Sequence, residues 1–342
     1  MTTSSVTPPA FTEGFLREVT DRFGLNEVFV RRLIHGKPLA KQVIEQWEDL
    51  VNPNQRLSSA YIHFALSNVV RGRQARDLIV RKTGIRSGRS LDVGSAYGGM
   101  VVAFAEAGFD ATGVEIDAHW CDLGNLNCSS RGFGNPIKLQ DFLSEPLDKT
   151  FDVITCNDVI EHVFEPRRAL AKMASMLKPG GVLYLVIPNA TSYDHVVRDG
   201  HYGQFGMNLL DHHAARAYYD ARCKNAFQKE YSCGEFHPLP WYRKQLVAGG
   251  LVVGTHRTTP DALPESAKLD QIVRDLDAAF SAWTPVGLTE ILGDQIAGRF
   301  QQYRTDLIRH FDRARYDPAT YRTSFLETYM DSFWTVLATK PT

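Results

Sequence analysis

Between Phe11 and about Lys82 the apolar side chains recur at helical spacing. Phe15, Val19 and Phe23 form one stripe, and Val43, Trp47 and Leu50 form a second. Asn52-Pro53-Asn54 interrupts the pattern, and a further helix is expected from Ser58 to Arg81. The period then changes. Short β-branched runs stand at Ser90–Val93, Ala111–Ile116, Ile137–Gln140, Phe151–Cys156 and Val182–Ile187, with helical stretches between them. The clearest of these stretches, Arg167–Leu177, puts Leu170, Met173 and Leu177 on one face. Pro166 suits its first turn, and Gly180-Gly181 is expected to stop it. Strict alternation of strand and helix implies right-handed βαβ units and a parallel sheet.

After Pro188 the rhythm fails. Residues 190–240 are rich in His, Tyr and Phe and read as an irregular, partly helical excursion. A helix at Trp241–Ala248 and a strand at Leu251–His256 resume the sheet, so 241–258 is read as core. Residues 259–331 are helical again, with Leu269, Ile272, Val273, Leu276 and Phe280 on one stripe, and Phe333–Ala338 is a last strand within 332–342. Residues 1–10 are small and polar and are expected to be disordered; 11–88 form a helical N-terminal region and 89–189 the α/β core.

Composition narrows the classes. Apolar residues make up 44% and charged residues 23% of the 342, ordinary values for a globular chain that buries a core. The net charge of −1 argues against a nucleic-acid partner, which would favour a basic excess. Met1 to Phe11 lacks the basic start and apolar run of a signal peptide, and no apolar run is long enough to span a bilayer. The five cysteines, Cys121, Cys128, Cys156, Cys223 and Cys233, show no Cys-x-x-Cys pair, so neither a disulfide framework nor a zinc cluster is expected. These features point to a reduced, cytoplasmic enzyme without membrane partners, with a homodimer left open.

The strongest chemical signal is Leu91-Asp92-Val93-Gly94-Ser95-Ala96-Tyr97-Gly98-Gly99, a strand running into a glycine-rich turn and then a helix from Met100 to Ala107. The next strand ends in Gly113-Val114-Glu115-Ile116-Asp117. Glu115 stands 21 residues after Gly94, the spacing at which an acidic side chain grips ribose hydroxyls. A dinucleotide would fit a glycine turn and an acid. Two features speak against one: Ala96 replaces the middle glycine, and Asp92 puts a carboxylate inside the strand, which suits a cationic ligand better than a pyrophosphate.

The stretch Leu91 to Asn189 resembles the class I S-adenosylmethionine-dependent methyltransferases, above all the small-molecule branch with the ubiquinone-biosynthesis O-methyltransferases. Five segments carry the likeness in order: Asp92 to Gly98, Glu115, Gln140-Asp141-Phe142, Phe151 to His162, and Leu177-Lys178-Pro179-Gly180-Gly181. The resemblance implies an α/β fold with a Rossmann-like seven-stranded, mostly parallel sheet and an antiparallel last strand, plus the helical N-terminal region and the helical insertion at 259–331. It implies S-adenosylmethionine as cofactor, held by Asp92, Gly94, Ser95, Ala96, Gly98, Glu115, Ile116, Asp141, Phe142, Asn157 and Asp158. Residues 11–88 would act as a lid and 190–240 as the acceptor pocket. The reaction it implies is methyl transfer to a small-molecule hydroxyl of a sugar or secondary metabolite, with N-methylation of a small amine as the alternative. A nucleic-acid methyltransferase and a non-catalytic scaffold subunit are weaker readings.

A hydroxyl acceptor needs a proton acceptor, for which histidine suits neutral pH. His162 is the first candidate, with His212 and His213 next. His201 and Tyr202 are candidate pocket residues, and Tyr61 and His63 weaker ones. Asp158, Glu161 and His162 would share a face if they open a helix. Some relatives hold magnesium with similar residues, so a divalent metal on these three is an alternative to no metal at all.

Overall fold

The computed structural model describes residues 10–35, 41, 43–50, 62–145, 149–227, 230–257 and 259–342. The expectations for residues 1–9, for Asn52-Pro53-Asn54, for the helix start at Ser58 and for Tyr61 lie outside them. Ala10–Phe11 (β1) pairs in parallel with Val43–Ile44 (β2). Seven further strands are β3 (Arg89–Val93), β4 (Asp110–Glu115), β5 (Ile137–Leu139), β6 (Phe151–Asn157), β7 (Leu177–Pro188), β8 (Val252–His256) and β9 (Phe333–Thr339). They form one mixed sheet in the order β5-β4-β3-β6-β7-β9-β8, and β3, β4, β5 and β6 pair in parallel. β9 runs against β7: Gly180 N–H donates to the Lys340 carbonyl and Lys340 N–H to that of Gly181, both at 2.9 Å. The central strands are apolar on both faces, with Val153, Ile154, Val182, Leu183 and Leu185 all buried, as expected where helices cover both sides of a parallel sheet.

The chain divides into two compact units. The first comprises the chain up to Asn157 with Lys172–Tyr184 and Thr339–Thr342. Its N-terminal helices, Glu13–Asp21 and Glu27–Ile34, bury Phe15, Val19, Phe29, Val30 and Leu33. These join one core with Val101, Val102, Leu123 and Cys128 from the helices Gly99–Glu106 and Ala118–Ser129. The second unit holds Asp158–Ala171 and Leu185–Ala338. The aromatic-rich excursion and the helical insertion share a single core there, in which Tyr202, Phe205, Tyr218 and Tyr219 pack with Ile272, Ile296, Phe300 and Phe325. The insertion supplies the helices Ser266–Ala282, Glu290–Tyr316 and Pro318–Phe325. No helix of the described residues is long and apolar enough to cross a membrane.

Two local expectations are corrected. The stripe Val43, Trp47, Leu50 is not a helix: Val43–Ile44 is a strand and Trp47–Leu50 a single 3-10 turn. Backbone N–H groups that a helix would need are drawn to the Asp49 carboxylate, which accepts from Glu45 at 2.9 Å and Gln46 at 3.2 Å. The fifth-strand turn is also absent, since β7 already begins at Leu177. Pairing of Gly180 and Gly181 with Lys340 carries the ladder back through both glycines, and the helix Pro166–Met176 stops before them.

The helices Asn68–Thr83 and Gly99–Glu106 meet backbone to backbone at Gly72. A Cβ there would lie 2.3 Å from the Gly99 carbonyl oxygen. Gly298, inside Glu290–Tyr316, faces nothing within 4 Å. The same substitution should therefore have opposite signs at the two sites. Gly72→Ala should lower the melting temperature by the equivalent of about 1–3 kcal/mol of overpacking. Gly298→Ala should raise it, since alanine is favoured over glycine in an open helix by about 0.5–1 kcal/mol. Thermal unfolding of both variants checks this, and equal shifts would contradict the close approach.

Candidate active site

Strand β3 ends in the turn Gly94-Ser95-Ala96, and β4 ends at Glu115 beside it. The Glu115 carboxylate gathers three backbone donors: Ala96 N–H at 2.9 Å on one oxygen, Ile116 N–H at 2.9 Å and Asp117 N–H at 3.0 Å on the other. Ala96 is thereby held at φ 39°, a left-handed conformation that costs a non-glycine residue on the order of 1–2 kcal/mol. Ser95 turns its hydroxyl back onto the Asp92 carbonyl at 3.0 Å. Parallel pairing sets Asp92 opposite Thr155 of β6, whose hydroxyl donates to the Asp92 carboxylate at 2.6 Å. Burial pushes Asp92 up to about 7, against the lowering effect of the Thr155 hydroxyl.

The remaining predicted donor residues of this unit lie at neighbouring strand ends. Ile116, the residue after β4, is 70% exposed, an apolar face left uncovered by the chain. Asn157 closes β6, and both its amide nitrogen and oxygen are buried without a hydrogen-bond partner. Asp141 caps its own loop, accepting from Leu143 N–H at 2.8 Å and from the Ser144 hydroxyl. The same loop is tied from below by Lys172, whose ammonium donates to the carbonyls of Phe142 and Glu145 and sits 4.8 Å from the Phe142 ring. Lys172 was not singled out from the sequence; only its place on the helix before β7 could have suggested a contact with the β5 loop. The site thus presents two carboxylates, an unpartnered amide and an exposed apolar side chain at the ends of adjacent parallel strands. That set fits a cationic ligand with a hydroxylated ring and a flat base.

A family profile described as a methyltransferase domain matches residues 71–223, which contain all of these groups. Residues 71–223 therefore carry a methyltransferase domain. Similar curated proteins are the ubiquinone biosynthesis O-methyltransferases of Colwellia psychrerythraea, 26% identical over 42% of this chain and 59% of that one, and of Actinobacillus pleuropneumoniae, 30% identical over 34% of this chain and 52% of that one. The chain thus covers between half and three fifths of the length of these relatives. Among solved structures, the YcgJ protein of Bacillus subtilis is 16% identical over 79% of this chain and 99% of that one, at a TM-score of 0.44. The unpartnered Asn157 amide, within the matched residues, is free to take a partner from a bound ligand.

The candidate residues from Asp158 to His162 and from His201 to His213 belong to the second unit. Asp158 takes φ 54° and donates its N–H to the Val186 carbonyl at 3.0 Å. The helix expected from Asp158 does not form, because the chain makes only a 3-10 turn, Ile160–His162. Asp158, Glu161 and His162 therefore do not share the helical face that the magnesium reading required. His162 instead meets His201, with ring centroids 5.0 Å apart, and Glu161 lies 3.9 Å and 3.8 Å from their Nε2 atoms. Cys233 completes this group. Burial alone would push both imidazoles down, but Cys233 and Glu161 hold His162 above its ordinary value and His201 well above it. His212 and His213 open the helix His212–Arg222; His213 is exposed, whereas His212 packs on Phe164 and Tyr231 and its Nδ1 is buried with no hydrogen-bond partner. Tyr202 is buried and hydrogen-bonded to Ser232. His63 is exposed, with its ring against Phe23.

The raised Asp92 has a consequence for stability. Between about pH 4, the usual carboxylate value, and about pH 7 the folded chain keeps a proton that the unfolded chain has released. Stability must therefore fall as pH rises through that window. Asp92→Asn, which keeps the Thr155 hydrogen bond and never ionises, should melt higher than the parent at pH 8 and show a much smaller difference at pH 5. A difference independent of pH would mean that Asp92 is ionised in the ligand-free fold at low pH as well.

Proposed function

We propose that this chain transfers the methyl group of S-adenosylmethionine to a hydroxyl oxygen of a small-molecule acceptor. The observation that carries the reading is the donor frame of Asp92, Glu115 and Asn157 inside the matched methyltransferase domain. Support for oxygen as the accepting atom comes from the similar proteins named for ubiquinone O-methylation, and the net charge of −1 favours a small acceptor over a nucleic acid.

When bound, the cofactor would supply a methyl group made electrophilic by its sulfonium, for transfer to the acceptor oxygen with the carbon–sulfur electron pair left on sulfur. The chain has three tasks. Asp92 and Glu115 place negative charge and hydrogen-bond acceptors for the cationic donor and its ribose, and the Asn157 amide gains the partner it lacks. The alignment of donor and acceptor lowers the barrier through proximity. The acceptor proton must leave, and His212 is the residue assigned to take it. Its Nδ1 is unengaged, whereas His162 donates through Nδ1 to the Ser232 carbonyl at 2.9 Å and turns its other nitrogen into the Glu161, His201 and Cys233 group. His213 is exposed.

Incubation with methyl-labelled S-adenosylmethionine and a panel of phenols, sugars and amines tests the reading. Label should appear on a hydroxyl acceptor, and His212→Ala should lower turnover by about 10²–10⁴-fold with cofactor affinity nearly unchanged. His213→Ala should stay close to the parent. Transfer to amines alone, at a rate indifferent to His212, would replace the proposal with N-methylation.

A further inference from the structure

The tightest gathering of ligating side chains among the described residues is His162, His201 and Cys233, whose ligand atoms all lie within 4.8 Å of one another. They come from three stretches of the second unit, separated by 39 and 32 residues in the chain. Backbone bonds hold these stretches in place. Gly234 N–H donates to the Glu161 carbonyl at 2.6 Å, and Ser232 N–H donates to the Tyr202 hydroxyl at 3.0 Å. Gly234 allows this approach, since a Cβ there would stand 3.2 Å from two carbonyl oxygens, those of Glu161 and Val163.

The environment of the cluster is that of a metal site. The Ser232 carbonyl can only accept, so His162 carries its proton on Nδ1 and presents Nε2 to the group. An orienting bond of this kind is the usual partner of a ligating imidazole. Cys233 is 1% exposed and Glu161 2% exposed, and Glu161 Oε2 is buried with no hydrogen-bond partner. A buried carboxylate with an unused oxygen needs positive charge nearby. The His162 side chain is 35% exposed, which leaves a way in from solvent.

We propose that His162, His201, Cys233 and Glu161 bind a divalent transition-metal ion of the zinc class. Two imidazoles and a thiolate are borderline-soft donors that select such an ion over magnesium or calcium. The thiolate and the carboxylate together neutralise its two charges. Three N and S ligands leave one position of a tetrahedron, and Glu161, already within 4 Å of both Nε2 atoms, closes it. A closed four-ligand site ties the 160–162 turn, the 199–202 turn and the 232–234 segment together, so the ion acts on folding of this unit.

The test is a cobalt(II) titration of the full chain after chelator treatment, under anaerobic reducing conditions and without cofactor or substrate. One equivalent should bind, with a thiolate-to-cobalt charge-transfer band and the visible absorption of a tetrahedral ion. Zinc should bleach both, and excess magnesium should not. Cys233→Ser should lose the charge-transfer band. Where that variant does not fold, His162→Ala, at a partly exposed position, should bind cobalt about tenfold or more weakly with its circular dichroism intact. Absence of saturable binding, displacement by magnesium, or a band unchanged in the variants would overturn the site. Binding is read without turnover, so its failure leaves the methyl-transfer reading untouched.

Discussion

A single carboxylate organises the donor end of this sheet. Glu115 accepts three backbone N–H groups from two different strand ends, and in doing so it fixes how the turn after β3 lies beside the tip of β4. Ala96 is driven into a left-handed conformation to reach it. Each of these hydrogen bonds joins a charged acceptor to a neutral donor, a class that contributes about 1.5–3 kcal/mol apiece, enough to offset the backbone cost at Ala96. The turn is thus preorganised by protein groups. Asp92 is buried one strand over and accepts from the Thr155 hydroxyl; burial outweighs that bond and the Arg71 charge, which is why its carboxyl holds its proton up to near neutrality. The pair thus sets a carboxylate that holds the turn beside a buried carboxyl that keeps its proton up to near neutrality.

What could be read from the sequence follows from how local the cause is. The strands β3 to β6 announce themselves because each is a short apolar run closed by a turn, and the turn residues Gly94 to Gly98 and Glu115 sit within one βαβ unit. Their relation is set by a spacing of 21 residues and needs no knowledge of the rest of the chain. Val43, Trp47 and Leu50 misled for the same reason in reverse. A helical period in sequence was overridden by the local pull of Asp49 on the Glu45 and Gln46 N–H groups and by the long-range pairing with Ala10–Phe11. The start of β7 was likewise misplaced, since the ladder through Gly180 and Gly181 is made by Lys340 at the other end of the chain. Asp158 to His162 was read as a helix start because the residue types allow it; the positive φ at Asp158 that forbids it leaves no trace in composition.

The histidine cluster was the least legible part. His162 and His201 were singled out separately, but Cys233 was set aside because no local cysteine pair marks a site. Residues so far apart in the chain are brought together only once the excursion after β7 has folded. That folding rests on a shared aromatic core with the helices of 266–325, in which Tyr202 contributes its ring to the core and its hydroxyl to Ser232, next to Cys233. Polar groups in this unit are positioned by apolar packing, so their meeting is a property of the whole core and not of a motif.

The central claim is that the Asp92 and Glu115 frame is an S-adenosylmethionine site. Titration calorimetry of the chain with S-adenosylhomocysteine, with NAD as the comparison ligand, tests it most directly. Saturable one-to-one binding of S-adenosylhomocysteine, weakened in Glu115→Ala by about 1.5–3 kcal/mol or more, and no binding of NAD, is the result this account predicts. Binding of NAD without binding of S-adenosylhomocysteine would contradict it.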